Sequence, residues 1–124
     1  MSKIWAIVGA SLGALSVMIG AFGAHSLKNM LTINNRIDTF ETAARYHMYH
    51  AIAILVCGIL LDLKKHNLFS ISSWLFLCGI IIFSGSLYAL SISGLRWLGA
   101  ITPIGGICFI TGWILLAVAL YKTF

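Results

Sequence analysis

Charged side chains are missing from most of this chain. Three long stretches, 4–24, 68–92 and 98–121, contain no Asp, Glu, Lys or Arg, and a fourth, 46–63, contains only Asp62 near its end. Only 9% of the residues are charged, against roughly 25% in a soluble domain. At roughly 1.5 Å of rise per residue, each stretch is about long enough to cross a hydrocarbon layer of about 30 Å. The sequence therefore predicts an integral membrane protein.

The four stretches predict an all-α fold, an integral membrane four-helix bundle with short loops. The predicted helices cover about 4–25, 38–63, 68–92 and 99–122 and form a single transmembrane domain over 1–124, with no linker or low-complexity segment. Lys3 flanks the first helix in the manner of a secretory signal. The uncharged run that follows is longer than the roughly 7–15 residues of a signal-peptide core, so we expect this helix to be retained.

Several catalytic and metal-binding patterns are also missing. The sequence has no CxxC pair, no HExxH and no phosphate-binding loop, and no acid can be placed beside a histidine to build a nucleophilic triad. Cys57, Cys78 and Cys108 fall singly in the last three helices, where free thiols pack as small hydrophobes. We therefore expect no enzymatic activity and no cofactor.

The basic residues predict how the chain sits in the membrane. The net charge is +5, but the cations are scattered over loops and termini like membrane-flanking anchors, so no nucleic-acid partner is expected. One side of the bundle would carry Lys3, Lys64, Lys65 and Lys122, and the other would carry Lys28, Arg36, Arg45 and Arg96. Because the positive-inside bias acts most strongly on short loops such as Lys64-Lys65, we predict a multi-pass protein of the cell membrane with both termini in the cytoplasm.

A stripe of small residues follows one face of the first helix. The stripe steps by four, three, four and three residues and consists of Gly9, Gly13, Ser16, Gly20 and Gly23. Lipid offers no hydrophobic drive for helix association, so close backbone approach through small residues is a main source of packing energy. We expect the stripe to touch another helix of this chain or of a second copy, and leucine at Gly13 or Gly20 to overpack that contact.

The second helix carries charge on one face and imidazoles on the other. Asp38 and Glu41 resemble a capping box, with Asp38 as the cap, and Glu41 precedes Arg45 by four residues in the favourable order for an ion pair. His47 and His50 lie about 60° apart on the opposite face, together with small residues. We therefore expect the two histidines to point into the bundle.

Following the helix directions collects polar residues in one half of the membrane. Thr102 is predicted to cap the fourth helix ahead of Pro103, and Ser84 and Tyr88 share a face of the third. The predicted binding cluster comprises His25, Glu41, Arg45, His47, His50, Ser84, Tyr88 and Thr102. The other half is expected to hold almost only apolar side chains. Unpaired polar groups in hydrocarbon tend to mark function, although all of these groups are also comfortable at the interface.

The histidines permit more than one chemistry. His25, His47 and His50 could converge on a metal, but Glu41 points away and would not complete the set, so no metal is expected. We predict instead that His47 and His50 hydrogen-bond hydroxyls such as those of Ser84 or Tyr88. Histidine titrates near neutral pH and could relay protons, which keeps open the alternative of a small-solute or ion transporter or channel.

Four motifs in order resemble a known family. They are 20–25 (GAFGAH), 40–51 (FETAARYHMYHA), 83–88 (FSGSLY) and 101–106 (ITPIGG). Together they resemble the YgdD-like family of small four-helix membrane proteins, domain of unknown function family 423, which has a short eukaryotic transmembrane relative. The resemblance implies the fold and no activity. We predict a non-enzymatic role in binding a lipid, quinone or other amphiphile, or as an accessory subunit of a larger membrane complex, with membrane lipids as partners and a homo-oligomer left open.

Overall fold

The computed structural model describes residues 2–124 and contains four helices long and apolar enough to cross a membrane. We call them the first span (Ser2–Ala24), the second span (Ile37–Lys64), the third span (Asn67–Ser93) and the fourth span (Arg96–Thr123). No strand occurs among the described residues. The predicted class, an all-α membrane bundle, is confirmed.

Two of the spans contain more than regular α-helix. The third span is α-helical over Asn67–Gly79 and Gly85–Ser93, with a π-helical turn at Ile80–Ser84 between them. The fourth span opens with a 3-10 turn, Arg96–Ala100, before its α-helix, Thr102–Thr123. A short helix, Lys28–Ile33, lies in the connection between the first two spans. Neither the π turn nor this short helix is predicted by the sequence pattern.

The two helix caps predicted from the sequence are wrong. The second span starts one residue before Asp38, its N-cap is Arg36, and no side chain caps it. Asp38 therefore occupies the first turn, where a negative charge still suits the helix dipole. Thr102 is likewise the first helical residue and makes no cap hydrogen bond, although Pro103 does lie in the first turn as predicted. The Thr102 hydroxyl pairs with a neighbouring span instead, at 2.7 Å from the Ser86 hydroxyl.

The first and second spans pack through reciprocal glycines. A Cβ added at Gly9 would lie 2.5 Å from the Leu55 backbone nitrogen, and one at Gly58 would lie 2.5 Å from that of Ala6. At these distances only the hydrogen of a glycine fits, so the backbones of the first and second spans are in van der Waals contact. Ser16 adds a hydrogen bond, its hydroxyl donating to the Ala44 carbonyl at 2.9 Å. The partner of the small-residue stripe is therefore a helix of the same chain.

The stripe is not uniformly packed. A Cβ at Gly13 would meet only the Met48 sulfur, at 3.9 Å, and one at Gly20 would meet nothing within 4 Å. Gly23 by contrast lies against the Phe40 ring. The geometry does not support overpacking at Gly13 and Gly20, because a Cβ at either position meets no backbone atom of another helix within 4 Å. The close contacts lie at Gly9 and Gly23.

The third and fourth spans pack by fitting aromatic rings against glycines. Gly79 receives the Phe109 ring and Gly112 receives the Phe76 ring. Both phenylalanines are buried, and they form part of a core with Ile54, Cys57 and Phe69. Each phenylalanine ring occupies the space that a side chain at the opposing glycine would otherwise fill. Each glycine therefore packs against one aromatic residue.

The apolar half of the bundle holds more polar groups than predicted. Ser70, Ser72 and Ser73, near the start of the third span, are all buried. The Trp5 indole donates to the Ser70 hydroxyl at 3.2 Å, and Ser73 donates to the Phe69 carbonyl at 3.0 Å. The expectation of an almost purely apolar half is wrong: Ser70 and Ser73 are hydrogen-bonded there, and the Ser72 hydroxyl is buried without a partner among the described residues.

The three cysteines are unpaired thiols in different settings. Cys57 is buried in the core, Cys108 is half-buried, and Cys78 is exposed on the outside of the third span. The predicted packing role therefore holds inside the bundle for Cys57 only.

Candidate functional site

Three members of the predicted cluster, His25, Glu41 and Arg45, lie on the outside of the bundle. His25 is exposed in the turn after the first span, and Glu41 and Arg45 are exposed on the second. The expected ion pair between Glu41 and Arg45 is not formed: the only ion pair within residues 2–124 joins Asp62 to Lys65, at 3.5 Å. An exposed pair at this spacing is worth only about 0.2–0.5 kcal/mol, and Arg45 donates instead to the Thr42 hydroxyl at 3.4 Å.

His47 joins the second span to the third. Its side chain is buried, and its Nδ1 lies 2.9 Å from the Tyr88 hydroxyl. Its Nε2 is buried without a hydrogen-bond partner among the described residues. The Tyr88 ring also packs on Phe40, with centroids 5.2 Å apart. The structure thus brings together two members of the predicted cluster, His47 and Tyr88.

Two hydroxyls of the cluster, those of Ser84 and Thr102, bind partners other than histidine. Ser84, in the π turn, donates to the Ala43 carbonyl at 2.8 Å and so ties the third span to the second. The hydrogen bond between Thr102 and Ser86 ties the fourth span to the third. Of the two hydroxyls predicted as partners of the histidines, that of Tyr88 does bind His47, whereas that of Ser84 binds the Ala43 carbonyl and neither imidazole.

His50 is held on three sides. Its Nδ1 lies 2.7 Å from the Tyr46 carbonyl one turn earlier, and its Nε2 lies 3.0 Å from the indole nitrogen of Trp113. Because indole only donates and a carbonyl only accepts, the proton resides on Nδ1 and the ring is neutral. The Phe109 ring stacks on the imidazole at 3.5 Å between centroids and 8° between planes. This fixes both the tautomer and the orientation of His50.

Phe109 and Trp113 are partners of His50 that the sequence pattern did not predict. The two residues lie four apart on the fourth span and so share a helix face. The sequence shows that the two aromatic residues share a helix face, but it does not indicate which other helix that face contacts.

A groove lined by aromatic rings opens beside His50. It lies between the second and fourth spans, with Phe83 of the third at its base, and has a volume of about 690 Å³. The lining of this aromatic groove consists of Tyr46, Tyr49, His50, Ile52, Phe83, Gly106, Phe109, Ile110 and Trp113. Tyr49 and Ile110 are 53% and 62% exposed, so the groove opens sideways from the bundle, near the middle of both spans.

The π turn helps to shape this groove. Its Phe83 ring lies 4.8 Å from that of Tyr46 and 5.3 Å from that of Phe109, measured between centroids. Phe83 therefore connects the second and fourth spans at the base of the groove. Single π turns inside α-helices occur frequently at functional sites.

Two catalytic or metal arrangements are not formed. Residues 2–124 contain no group of three or more His, Cys, Asp or Glu that could hold a metal ion, so the three histidines weighed from the sequence do not converge. Gly9, Ser11 and Gly13 match the GxSxG pattern, but they lie inside the continuous first span. A nucleophile elbow requires a sharp turn between a strand and a helix.

These features define a small four-helix membrane protein with a laterally open aromatic groove. The chain belongs to the family described as "Protein of unknown function (DUF423)", whose family model matches residues 19–106. The predicted family resemblance is thereby confirmed.

Relatives match this chain from end to end. It is 43% identical over 122 residues to UPF0382 membrane protein YwdK of Bacillus subtilis, covering 97% of this chain and 98% of that protein. It is 42% identical to UPF0382 membrane protein SAB0533 of Staphylococcus aureus and 40% identical to SH2409 of Staphylococcus haemolyticus, each over 120 residues and 97% of both chains. No solved structure matches the chain.

Proposed function

We propose that this membrane protein binds an amphiphile carrying a flat ring, such as a quinone, in the aromatic groove and does so without catalysing a reaction. The single observation that carries the proposal is the groove itself, about 690 Å³ in volume and lined mainly by rings. Sites for small ligands are concave, mostly apolar and supplied with a few placed polar groups.

The lining supports a ring rather than an acyl chain alone. Phe109 and Trp113 present aromatic surface, and stacked or edge-on ring pairs gain about 0.5–1.5 kcal/mol beyond the burial of their area. Tyr46 and Tyr49 add phenol groups that can donate to a carbonyl oxygen such as that of a quinone. The lateral opening supports entry from the bilayer, where such a ligand is dissolved.

The alternative of a proton-coupled transporter draws less support from the same residues. Both ring nitrogens of His50 are engaged within the chain, and Nδ1 of His47 is engaged with Tyr88. A proton relay through His50 would have to break one of its two hydrogen bonds, and the unpartnered Nε2 of His47 is buried away from water. An accessory subunit would use the aromatic groove to receive a partner helix instead of a small ligand.

Binding can be tested with decylubiquinone and the protein in lipid nanodiscs, by quenching of tryptophan fluorescence. We expect a saturable component that decanol, which lacks the ring, does not displace. Gly106→Leu should remove this component, because Gly106 lines the groove and a Cβ there meets nothing within 4 Å. Gly20→Leu is the matched control, since that glycine is equally open and lies outside the groove.

Two results would overturn the proposal. One is quenching in the wild type that rises linearly with quinone and never saturates. The other is a saturable component that Gly106→Leu leaves unchanged.

We further propose that both termini face the cytoplasm of the cell membrane. The Lys64 ammonium lies 3.7 Å from the centre of the Phe124 ring, so the basic loop after the second span and the end of the chain share one side of the bundle. The positive-inside bias of that short loop supports a cytoplasmic position for this side.

A further inference from the structure

A second pocket lies at the opposite face of the second span, near the membrane surface. It has a volume of about 230 Å³ and is formed by the end of the first span, the short helix after it and the start of the second span. Its lining consists of Gly20, Gly23, Ala24, Lys28, Leu31, Ile37, Phe40, Glu41 and Ala44. We call it the interface pocket. It shares no residue with the aromatic groove.

The shape of the interface pocket depends on glycine. Nothing lies within 4 Å of a Cβ built at Gly20, so the missing side chain there leaves open space. Gly23 lies directly against the Phe40 ring, which is buried and closes the pocket towards the bundle. The interface pocket is therefore apolar inside and polar at its opening. It lies at the level in the membrane where the first span ends and the second span begins.

Two opposite charges lie on this pocket, and neither is neutralised by the other. Lys28 and Glu41 are both exposed lining residues, one on the short helix and one on the second span. The one ion pair formed within residues 2–124 joins Asp62 to Lys65 at the other end of the bundle. Arg45, the next cation along the second span, donates to Thr42 and does not line the pocket. Both charges are therefore available to a ligand.

We propose that the interface pocket binds a phospholipid whose headgroup carries both a phosphate and a primary ammonium, as in phosphatidylethanolamine. Lys28 pairs with the phosphate and Glu41 accepts from the ammonium, while the upper part of an acyl chain lies over Gly20. Hydrogen bonds in which both partners are charged are roughly twice as strong as neutral ones. The depth fits as well, since headgroups occupy the layer just outside the hydrocarbon.

The two separate charges of Lys28 and Glu41 make the interface pocket selective among common phospholipids. A choline headgroup has the same charges but no N–H to donate, so it loses the hydrogen bond to Glu41. A purely anionic headgroup, such as phosphatidylglycerol, places no cation beside Glu41 and is repelled by it. We therefore expect phosphatidylethanolamine to bind more tightly than either, by about tenfold for one lost charge-assisted hydrogen bond.

The test is native mass spectrometry of delipidated full-length protein offered equal amounts of phosphatidylethanolamine, phosphatidylcholine and phosphatidylglycerol with identical acyl chains. In the wild type we expect the ethanolamine lipid to dominate the one-lipid adduct. Glu41→Gln should bring the ethanolamine and choline lipids to within about twofold of each other, since an amide cannot pair with the ammonium. Lys28→Ala should weaken the binding of all three.

Two glycine variants separate this site from the aromatic groove. Gly20→Leu should remove the lipid preference and leave the saturable quenching by quinone intact. Gly106→Leu should remove the saturable quenching and leave the lipid preference intact. The proposal fails if the wild type prefers phosphatidylglycerol or shows no preference, or if Glu41→Gln retains the full preference for ethanolamine. Circular dichroism of each variant confirms that the helices are retained, and the two exposed charge variants are not expected to disturb them.

Discussion

The indole N–H of Trp113 on the fourth span donates to Nε2 of His50 on the second span, at 3.0 Å. The carbonyl of Tyr46 holds the opposite nitrogen of the same ring, at 2.7 Å. A ring held at both nitrogens and stacked on Phe109 provides a fixed wall for the aromatic groove. The polar contact thus serves to position an aromatic surface.

Breaking this contact should destabilise the bundle. We expect His50→Leu to lower the free energy of unfolding by roughly 1–3 kcal/mol, because the Tyr46 carbonyl and the indole N–H lose their shared partner. Unfolding by sodium dodecyl sulfate, followed by circular dichroism, measures the change. In a double-mutant cycle with Trp113→Phe, the two losses should be less than additive. Strict additivity would show that the two side chains do not interact.

The glycines of the first span should respond unequally to leucine. Gly9→Leu places a side chain into the Leu55 backbone and should cost at least about 1–3 kcal/mol, the range for overpacking a core. Gly20→Leu is the control within the same helix, because nothing lies within 4 Å of its Cβ, and its melting temperature in detergent should stay near that of the wild type. Equal melting of the two variants would contradict the packing of the first span on the second.

The hydroxyl of Tyr88 should contribute to stability, whereas that of Tyr49 should not. Tyr88→Phe removes the hydrogen bond to the buried His47 and should cost roughly 1–3 kcal/mol. Tyr49→Phe makes the same chemical change at a side chain that is 53% exposed, and we expect a change within about 0.5 kcal/mol. Both are measured by unfolding in detergent. A loss at Tyr49 as large as that at Tyr88 would argue against a specific bond to His47.

The proposed orientation predicts which loops can be labelled from outside the cell. In a background without Cys57, Cys78 and Cys108, a cysteine at exposed Asn35 should react with a membrane-impermeant maleimide in intact cells. A cysteine at Asn67, exposed at the other end of the bundle, should react only after the membrane is opened. The reverse labelling pattern would place both termini outside.

Sequence alone determined the class of this protein and the faces of its helices. Four uncharged or nearly uncharged runs predicted four spans, because hydrocarbon tolerates few other structures. Helical periodicity correctly predicted that His47 and His50 are buried, and it predicted the packed positions Gly9, Ser16 and Gly23 of the first span but not the open ones, Gly13 and Gly20. Four ordered motifs were enough to predict the family.

Only the tertiary structure decided which residues of different helices are in contact. Periodicity gives the angle of a side chain around its own helix, but not the rotation, crossing or depth of the helix it faces. His50 therefore met Trp113 rather than a hydroxyl, and Gly20 faced open space while Gly9 met a backbone. Ser84 likewise donated to the Ala43 carbonyl rather than to an imidazole, and a π turn that no sequence pattern predicted placed Phe83 at the base of the groove.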